Sequence, residues 1–572
     1  MLKRFLKTIK PLRIRLLRSC LNRLKTEHWI LGGSALLLLY FAAFPLLLLI
    51  FKSISPEHIQ NYALIVSKKS NWISLLNTLS LCITTTALTI IIGLPLAWLL
   101  YKTDIPQKNL WKSLFSIPYI IPPYVGAIAW LKLLNPTSGS LNLFFMKYLH
   151  LNSAPFQIYS LGGAAMVLGF FFYSFIFLAC YNALQKMDPS LEEAALMCGS
   201  NRWQAFKDIT LPLILPALMS GIILVFIATA TAFGVPALLM MPQRLFVLTT
   251  RIYTDVLNYS GGILKASSLS VILMIFGLTG LWASSLFLKN KRFTTLSGKY
   301  ARGEPLSLQK WKWPCIIFLI GVWGIMVFLP LITIVISSFL KIYGEPLSFS
   351  NFSFQKYRYV LFELATTQKS FLNSFLFATL ASLISVILGA LVAYVKVKTH
   401  IKSRHWITFL ATLPYATPGT VVAIGLIIAF SGSHGLNLYN TFWILIVAYS
   451  VKYISFAIQN TAAALEQIDS TLEESGRMCG ASWLKVFATI LVPILKPTLI
   501  ASFFLIFMPT FCELTMSILL VGPKTETVGT LLFNLQSYDD PQSAAVLATL
   551  IICVILTANF MVKKITRGAY GV

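Results

Sequence analysis

Apolar stretches of membrane-spanning length recur along almost the whole chain. A helix needs roughly 20 predominantly apolar residues to cross the hydrocarbon core of a bilayer, and the sequence contains twelve such stretches. Because 57% of the 572 residues are hydrophobic and only 11% are charged, a soluble fold would present more apolar surface than its cores can bury. The sequence therefore predicts an all-α polytopic membrane protein with about twelve transmembrane helices. The predicted spans lie near residues 29–53, 72–101, 113–135, 156–185, 211–235, 266–289, 314–340, 370–396, 406–431, 439–463, 493–520 and 541–562.

Basic residues divide the loops between the two sides of the membrane. The formal net charge is +27, and residues 1–27 carry nine Lys and Arg residues against one acid, Glu27. Because basic loops stay in the cytoplasm, we expect a multi-pass protein of the bacterial cytoplasmic (inner) membrane with both termini cytosolic. The basic N-terminus is either a topogenic anchor or an amphipathic helix on anionic lipid. Nucleic acid is not an expected partner.

One segment of the chain occurs twice. Residues 188–199 read Asp-Pro-Ser-Leu-Glu-Glu-Ala-Ala-Leu-Met-Cys-Gly, and residues 469–480 read Asp-Ser-Thr-Leu-Glu-Glu-Ser-Gly-Arg-Met-Cys-Gly. Each copy continues without a gap into an Ile-x-x-Pro-x-x-x-Pro stretch, at a constant offset of 281 residues. Residues 77–122 resemble residues 373–418 in the same way, at an offset of 296. This tandem duplication predicts two homologous halves related by a pseudo-two-fold axis along the membrane normal.

The duplication and the spans together divide the chain into four segments. We expect a basic cytosolic segment at 1–28, a first half of six spans at 29–289, a cytosolic linker at 290–313 and a second half of six spans at 314–565. Both copies of the repeated segment fall in cytosolic loops of this arrangement.

Each repeated loop has the residues of a short capped helix. Asp188 and Asp469 suit its N-terminus, and Gly199 and Gly480 suit the left-handed residue that ends it. A second short helix is predicted before the next span begins. Because this second helix cannot bury its apolar face by itself, we expect the loops to bind a partner groove. The predicted face consists of Trp203, Phe206 and Ile209 in the first half and of Trp483, Phe487 and Ile490 in the second.

The repeated loops resemble the EAA signature of ABC-importer permeases. In the first half the matching residues are Glu193, Ala194, Ala195, Gly199 and Pro212. In the second half they are Glu474, Ser475, Gly476, Gly480 and Pro493, with Ser and Gly in place of the two alanines. The resemblance implies that these residues form coupling loops that dock in clefts of two copies of a cytosolic ABC ATPase. It also implies an extracytoplasmic substrate-binding protein as a partner, in addition to the membrane lipid.

The sequence contains no motif for ATP binding. No Gly-x-x-x-x-Gly-Lys-[Ser/Thr] loop is present, and the nearest fragment, at 297–300, lacks the first glycine and the hydroxyl. The eight cysteines include no Cys-x-x-Cys pair, so neither a zinc site nor a disulfide framework is predicted. We therefore expect no catalytic residue and no cofactor in this chain, with ATP and Mg²⁺ bound by the partner ATPase.

Three other stretches are similar to permeases of ferric-iron importers, namely residues 231–253, 413–425 and 512–531. The resemblance implies transport of ferric iron, driven by ATP hydrolysis in the separate subunit. Permeases for thiamine, 2-aminoethylphosphonate and polyamine share this architecture, so these substrates are alternatives. An ion-coupled secondary transporter is the alternative from another class, but such a protein is expected to carry paired acids in the membrane and has no use for a repeated docking helix.

Two ionisable residues are predicted inside the membrane. Lys452 lies in the tenth span and Glu513 in the eleventh, where a charge costs roughly 2.5–3.5 kcal/mol. They form either a structural ion pair or part of a translocation gate. No residue is assigned as a metal ligand, because metal capture is expected in the separate binding protein. Four prolines at matching depths are further pathway candidates, as simple kinks or as pore-lining irregularities: Pro118, Pro122, Pro414 and Pro418.

Overall fold

Twelve membrane-spanning segments follow one another in the predicted order. The computed structural model describes residues 32–56, 59–257, 262–289, 305–342, 349–399, 404–432, 435–538 and 540–565. Within these ranges, ten helices are long and apolar enough to cross a membrane, and two bent helix pairs bring the number to twelve. The predicted all-α polytopic fold is therefore confirmed. The basic segment 1–28 and residues 290–304 of the linker lie outside the described residues.

The helices keep the same order in both halves. Spans 1 to 6 are Gly32–Ile54, Lys69–Lys102, the bent pair Lys108–Tyr119 and Pro123–Leu134, Leu161–Lys186, Arg202–Ala230 and Gly262–Lys289. Spans 7 to 12 are Gln309–Ser338, Ala365–Lys398, the bent pair Arg404–Ala416 and Gly419–Phe430, Phe442–Leu465, Trp483–Phe511 and Pro541–Ile565. Shorter helices between the spans include Gln60–Ser67, Ser140–Tyr148, Ser190–Met197, Gly234–Leu239, Leu248–Leu257, Ser470–Met478, Ser517–Leu520 and Val528–Ser537.

The bent span 3 crosses the membrane despite its break. Its two helices meet at 92°. Near its start, the Ser113 hydroxyl lies 3.0 Å from Lys563 Nζ, at the end of span 12. Near its end, Lys132 Nζ donates to the carbonyl of Pro541, at the start of span 12, over 2.8 Å. Because span 12 is one helix of 25 residues, these contacts place the ends of span 3 on opposite sides of the membrane.

The first span of each half packs on the other half. Span 1 places Leu38 in a buried cluster with Ile407, from the first helix of span 9, and Leu46 in a cluster with Val421, from its second helix. Span 9, whose helices meet at 109°, therefore accompanies span 1 through the bilayer. Reciprocally, Ile334 of span 7 is buried with the second helix of span 3. This exchange agrees with the predicted pseudo-two-fold relation of the halves.

Buried apolar clusters contain residues of both halves on one side of the membrane. On the other side, each half has its own cluster. We call the side that carries the repeated loops the loop side. Away from it, two large buried clusters combine both halves, for example Leu168 with Leu532 and Leu269 with Ile424. Toward the loop side, the clusters of the two halves are separate. There, among the described residues, only the exchanged first spans contribute buried apolar residues to the cluster of the other half.

Four spans contain a π-helical turn that ends two residues before a proline. Proline has no N–H, and its ring clashes with the carbonyl four residues earlier, so the wider turn lets the helix continue. Consequently Arg202–Ala230 and Trp483–Phe511 are continuous helices, and the second short helix predicted in each repeated loop is in fact the start of spans 5 and 11. The π turns are Leu39–Ala43 before Pro45, Phe206–Thr210 before Pro212, Gly324–Phe328 before Pro330 and Phe487–Leu491 before Pro493.

Candidate functional site

The first repeated loop folds as the capped helix that its sequence predicts. The Asp188 carboxylate accepts the N–H of Ser190 at 3.0 Å, and this bond lowers the pKa of Asp188 because it favours the ionised form. The helix ends at Gly199, whose φ of +90° is left-handed. The N–H of Ser200 then closes the turn on the Ala195 carbonyl at 3.0 Å.

The second repeated loop has the same geometry. Asp469 accepts the N–H of Thr471 at 3.0 Å, which lowers the pKa of Asp469. Gly480 closes the helix with a φ of +83°. Gly476 stands where the signature has alanine. Packing explains the glycine, because a Cβ there would lie 2.7 Å from Ile490 Cδ1 of span 11. The glycine therefore lets the loop helix approach the start of the next span.

The acidic residues of the signature project into solvent. Glu193 and Glu474 are exposed, and within the described part of the chain neither side chain forms a hydrogen bond or ion pair. Of the small residues that follow, Ala194 and Ser475 are exposed as well, whereas Ala195 and Gly476 are half-buried. The loop helices thus present their acidic residues outward and pack their second small residue inward.

The preceding glutamates connect each loop to a membrane helix. Glu192 Oε2 lies 2.7 Å from Lys102 Nζ, at the loop-side end of span 2, and the Glu192 carboxylate also accepts the Thr210 hydroxyl. At the matching position of the second half, Glu473 lies 3.4 Å from Lys398 Nζ, at the end of span 8. The same ion pair therefore links the repeated loop to the second span of each half.

Glu473 is more buried than Glu192 and lies near three polar side chains. It is 3% exposed, and the Arg477 guanidinium lies 3.5 Å from its second oxygen. The hydroxyl of Tyr394 lies 3.1 Å from the same oxygen. Buried charges require such partners, and two of the three, Lys398 and Tyr394, fix the second loop to span 8.

Apolar side chains also project from both repeated loops. Met197 and Met478 occupy matching positions and are 89% and 75% exposed. Trp203 and Leu484 match as well, with 69% and 67% exposed. Leu484 replaces the predicted Trp483, whose ring packs on that of a span 8 tyrosine with centroids 5.4 Å apart. Large exposed apolar side chains are typical of interaction surfaces, and here they recur at matching positions of both loops.

Two of the predicted pathway prolines lie at the breaks of spans 3 and 9. Pro122 and Pro418 precede the second helix of each pair, with extended ψ angles of 132° and 139°. Pro118 lies in a 3₁₀ turn just before the first break, and Pro414 lies inside the helix that ends at the second. The matched prolines therefore lie at the sharp bends of 92° and 109° in the two halves.

The side chains of Lys452 and Glu513 bind helix ends inside the membrane, Lys452 from the middle of span 10 and Glu513 from the residues just after span 11. Lys452 Nζ donates to the carbonyls of Tyr415, over 3.2 Å, and Thr417, where the first helix of span 9 ends. Glu513 accepts the N–H of Met516 at 2.9 Å and the hydroxyl of Ser517 at 2.6 Å. The Tyr415 and Thr417 carbonyls and the Met516 N–H lie at helix ends, where backbone groups lack partners within the helix. The predicted direct ion pair between the two side chains is absent from the described structure. Each side chain instead forms hydrogen bonds with backbone groups at a helix end.

Comparison with known proteins identifies the family. A family model described as "Binding-protein-dependent transport system inner membrane component" matches residues 89–292 and again residues 385–568. The two matches cover more than half of the chain, and one falls mainly in each half. The chain belongs to this family. Membership of this inner-membrane family and the apolar helices described above agree that the chain crosses the inner membrane several times.

The relatives of this inner-membrane component include ferric transport permeases. The "Ferric transport system permease protein FbpB" of Actinobacillus pleuropneumoniae is 27% identical over 446 residues, which are 77% of this chain and 63% of the relative. The "Fe(3+)-transport system permease protein FbpB 2" of Haemophilus influenzae is 24% identical and covers 85% of this chain and 89% of its own length. A solved chain of a bacterial ABC transporter that imports alginate is 16% identical, with a TM-score of 0.34, over 47% of this chain and 99% of its own.

Sequence reasoning missed the ion pairs that connect loop and span in this inner-membrane component. Glu193 and Glu474 match the signature, whereas Glu192 and Glu473 are compatible in sequence with solvated helix charges. A signal was nevertheless present. Lys102 and Lys398 differ by the offset of 296 that relates residues 77–122 to residues 373–418. Glu192 and Glu473 differ by the offset of 281 that relates the two repeated loops. Charges of opposite sign that recur together indicate a contact kept in both halves.

Proposed function

We propose that this chain is the permease subunit of an ABC importer for ferric iron. The names of the relatives support iron as the substrate, although the chain spans only 63% of the first relative's length. Thiamine, 2-aminoethylphosphonate and polyamine are the competing substrates. The observation that carries the permease role is the pair of exposed apolar surfaces at matching positions of the two repeated loops.

In this proposal the loop side faces the cytosol, and both termini lie there. The basic residues support this orientation, because the loop side carries Lys102, Lys186 and Lys398 at helix ends. Each repeated loop then docks in the cleft of one ATPase subunit. ATP and Mg²⁺ are held by those subunits, so this chain holds no cofactor itself. A substrate-binding protein delivers the substrate on the opposite side.

The ion pairs provide the mechanical connection. Movement of an ATPase subunit displaces the docked loop, and the contact of Glu192 with Lys102 passes the displacement to span 2. Span 2 lies against span 4, because a Cβ on Gly93 would be 2.9 Å from the Tyr173 carbonyl. In the second half, the equivalent Gly389 lets span 8 approach span 10 equally closely. Loop, second span and fourth span therefore move as one body in each half.

Two measurements test the proposal. Affinity purification of the chain from bacterial membranes is expected to recover an ABC ATPase in a ratio of two ATPase subunits to one permease. Deletion of the chain is expected to lower accumulation of radioactive iron under iron limitation. Normal iron accumulation combined with loss of thiamine, phosphonate or polyamine uptake would reject iron and leave the permease role intact. Absence of an ATPase from the purified complex would reject the coupling role.

A further inference from the structure

A cavity of about 180 Å³ lies on the side of the membrane opposite the repeated loops. It is enclosed by the short helix Gln60–Ser67, the start of span 2, the helix Leu248–Leu257 and the start of span 6. The chain has crossed away from the loop side at all four places. The volume is far larger than a single water requires. The polar residues of the lining are Asn61, Lys68, Asn71, Arg251, Asp255 and Lys265.

Three cations and one acid line this cavity. Arg251 Nε lies 3.6 Å from Asp255 Oδ1, so the acid balances one of the three positive charges. The side chains of Lys68 and Lys265 form no hydrogen bond or ion pair with a described residue. Because two positive charges remain without a counter-charge, the cavity favours an anion.

The cavity also contains a buried acceptor without a donor. Asn71 is 7% exposed, and its Nδ2 donates to the Ile65 carbonyl at 3.1 Å. Its Oδ1 is buried and accepts no hydrogen bond among the described residues. An unpaired buried oxygen costs free energy, which a ligand with a hydroxyl or ammonium donor would remove. The site therefore suits a ligand that combines an anionic group with a hydrogen-bond donor.

The cations of this cavity are not part of the duplication. Spans 2 and 8 are helices of 34 residues that begin at an offset of 296, so Lys68 corresponds to Leu364. The helices of ten residues that precede spans 6 and 12 begin at an offset of 280, so Arg251 corresponds to Leu531. A charge that the shared fold required would be expected in both halves. The cationic cavity is therefore an addition to the repeated fold.

Exposed apolar residues place the cavity at the membrane boundary. Leu64, which lines the cavity, is 51% exposed, and Trp72, at the start of span 2, is 50% exposed. The Trp72 indole N–H donates to the Val66 carbonyl at 2.8 Å. Tryptophans with a bonded N–H and an exposed ring are typical of the membrane interface. A phospholipid offers at this depth both a phosphate for the lysines and acyl chains for the apolar side chains.

We propose that this cavity binds the phosphate of a phospholipid headgroup from the leaflet opposite the repeated loops. The ammonium groups of Lys68 and Lys265 donate to the phosphate oxygens, and a headgroup hydroxyl or ammonium donates to Asn71 Oδ1. The acyl chains lie along Leu64 and Trp72. Because the cavity lies between the starts of spans 2 and 6, the bound lipid stabilises their packing. Such a site is independent of the substrate that the chain transports.

Native mass spectrometry of the purified full-length chain in detergent measures this binding. Phosphatidylglycerol, whose headgroup has hydroxyl donors, is expected to bind more tightly than phosphatidylcholine, whose headgroup has none. Lys68→Met and Lys265→Met are each expected to weaken phosphatidylglycerol binding about five-fold, the effect of one basic residue near an anionic lipid. Lys68→Arg is expected to retain the binding. Lys69→Met is the matched control, because this neighbouring lysine is exposed and does not line the cavity.

Equal binding of the two lipids would overturn the proposal. Equal losses in Lys68→Met and Lys69→Met would also overturn it, because general surface charge would then explain the attraction. Glycerol phosphate and inorganic phosphate, at the concentration of the lipid, are expected to leave thermal unfolding unchanged. Stabilisation by either anion that is lost in Lys265→Met would show a site for a free anion instead. If the lysine variants bind lipid normally but lose affinity for the substrate-binding protein, the cavity belongs to a protein interface and the lipid proposal fails.

Discussion

Lys102 Nζ lies 2.7 Å from Glu192 Oε2, and this contact joins the first repeated loop to the end of span 2. The matching contact of Lys398 with Glu473 joins the second loop to span 8 at 3.4 Å. Side-chain exposure separates the two pairs, because the carboxylate is 22% exposed in the first and 5% in the second. The connection between loop and membrane helix is thus present in both halves and more buried in the second.

Breaking this contact is expected to uncouple ATP hydrolysis from transport. We predict that Lys102→Met lowers uptake about ten-fold, as expected for the loss of a partly buried ion pair, while the ATPase still co-purifies. Lys398→Met is expected to be more damaging because it leaves a more buried carboxylate behind. Lys186→Met, an exposed loop-side control, should change neither quantity. Partial recovery in Lys102→Glu combined with Glu192→Lys would support the pair, and equal defects in the swap and in the single variants would contradict it.

The exposed methionines of the loops are expected to be docking residues. We predict that Met197→Asp or Met478→Asp prevents recovery of the ATPase, because a charge would enter an apolar interface. The measurement is the ratio of ATPase to permease after affinity purification. Leu149→Asp is the control, since that leucine is 60% exposed on the opposite side. Normal ATPase recovery in both methionine variants would remove these side chains from the interface.

The glycines that end the loop helices are expected to tolerate only residues that accept a positive φ. No atom lies within 4 Å of a Cβ built on Gly199 or Gly480, so crowding plays no part in the cost of substitution. Gly199→Val is predicted to destabilise the left-handed turn by roughly 1–2 kcal/mol and to lower uptake. Gly199→Asn should be much milder, because asparagine visits this region. Equal uptake by the two variants would show that the turn is not required.

Lys452 and Glu513 are expected to act independently. Glu513→Gln is predicted to cost about 1.5–3 kcal/mol, the value of a hydrogen bond to a charged group, when thermal unfolding of the purified protein is followed. Because the two side chains cap different helix ends, the effect of Lys452→Met should add to that of Glu513→Gln. Recovery of stability in the double variant would instead reveal a direct pair.

The orientation is testable with thiol reagents. In a background without other cysteines, Cys198 and Cys479, which are both exposed on the repeated loops, should react with a membrane-impermeant maleimide only after the cells are permeabilised. A cysteine in place of Ser153, an exposed residue on the opposite side, should react in intact cells. The reverse pattern would invert the proposed topology.

Local features of the sequence were sufficient to predict the architecture. The apolar stretches predicted twelve spans, because a helix in lipid must satisfy its backbone internally and cover a fixed thickness. The aspartates and glycines predicted the ends of the loop helices, since capping depends on a few neighbouring residues. Repetition at constant offsets predicted the two halves. These features are readable because each depends on neighbours along the chain.

The tertiary structure decided which groups meet. The sequence could not show that Glu192, and not Glu193, contacts span 2, because both occupy the same helix turn and only packing selects one. Nor could it show that Lys452 and Glu513 cap broken helices separately, since a buried charge accepts any partner of suitable geometry. The exchange of the first spans likewise depends on how helices distant in sequence pack together, which no local pattern encodes.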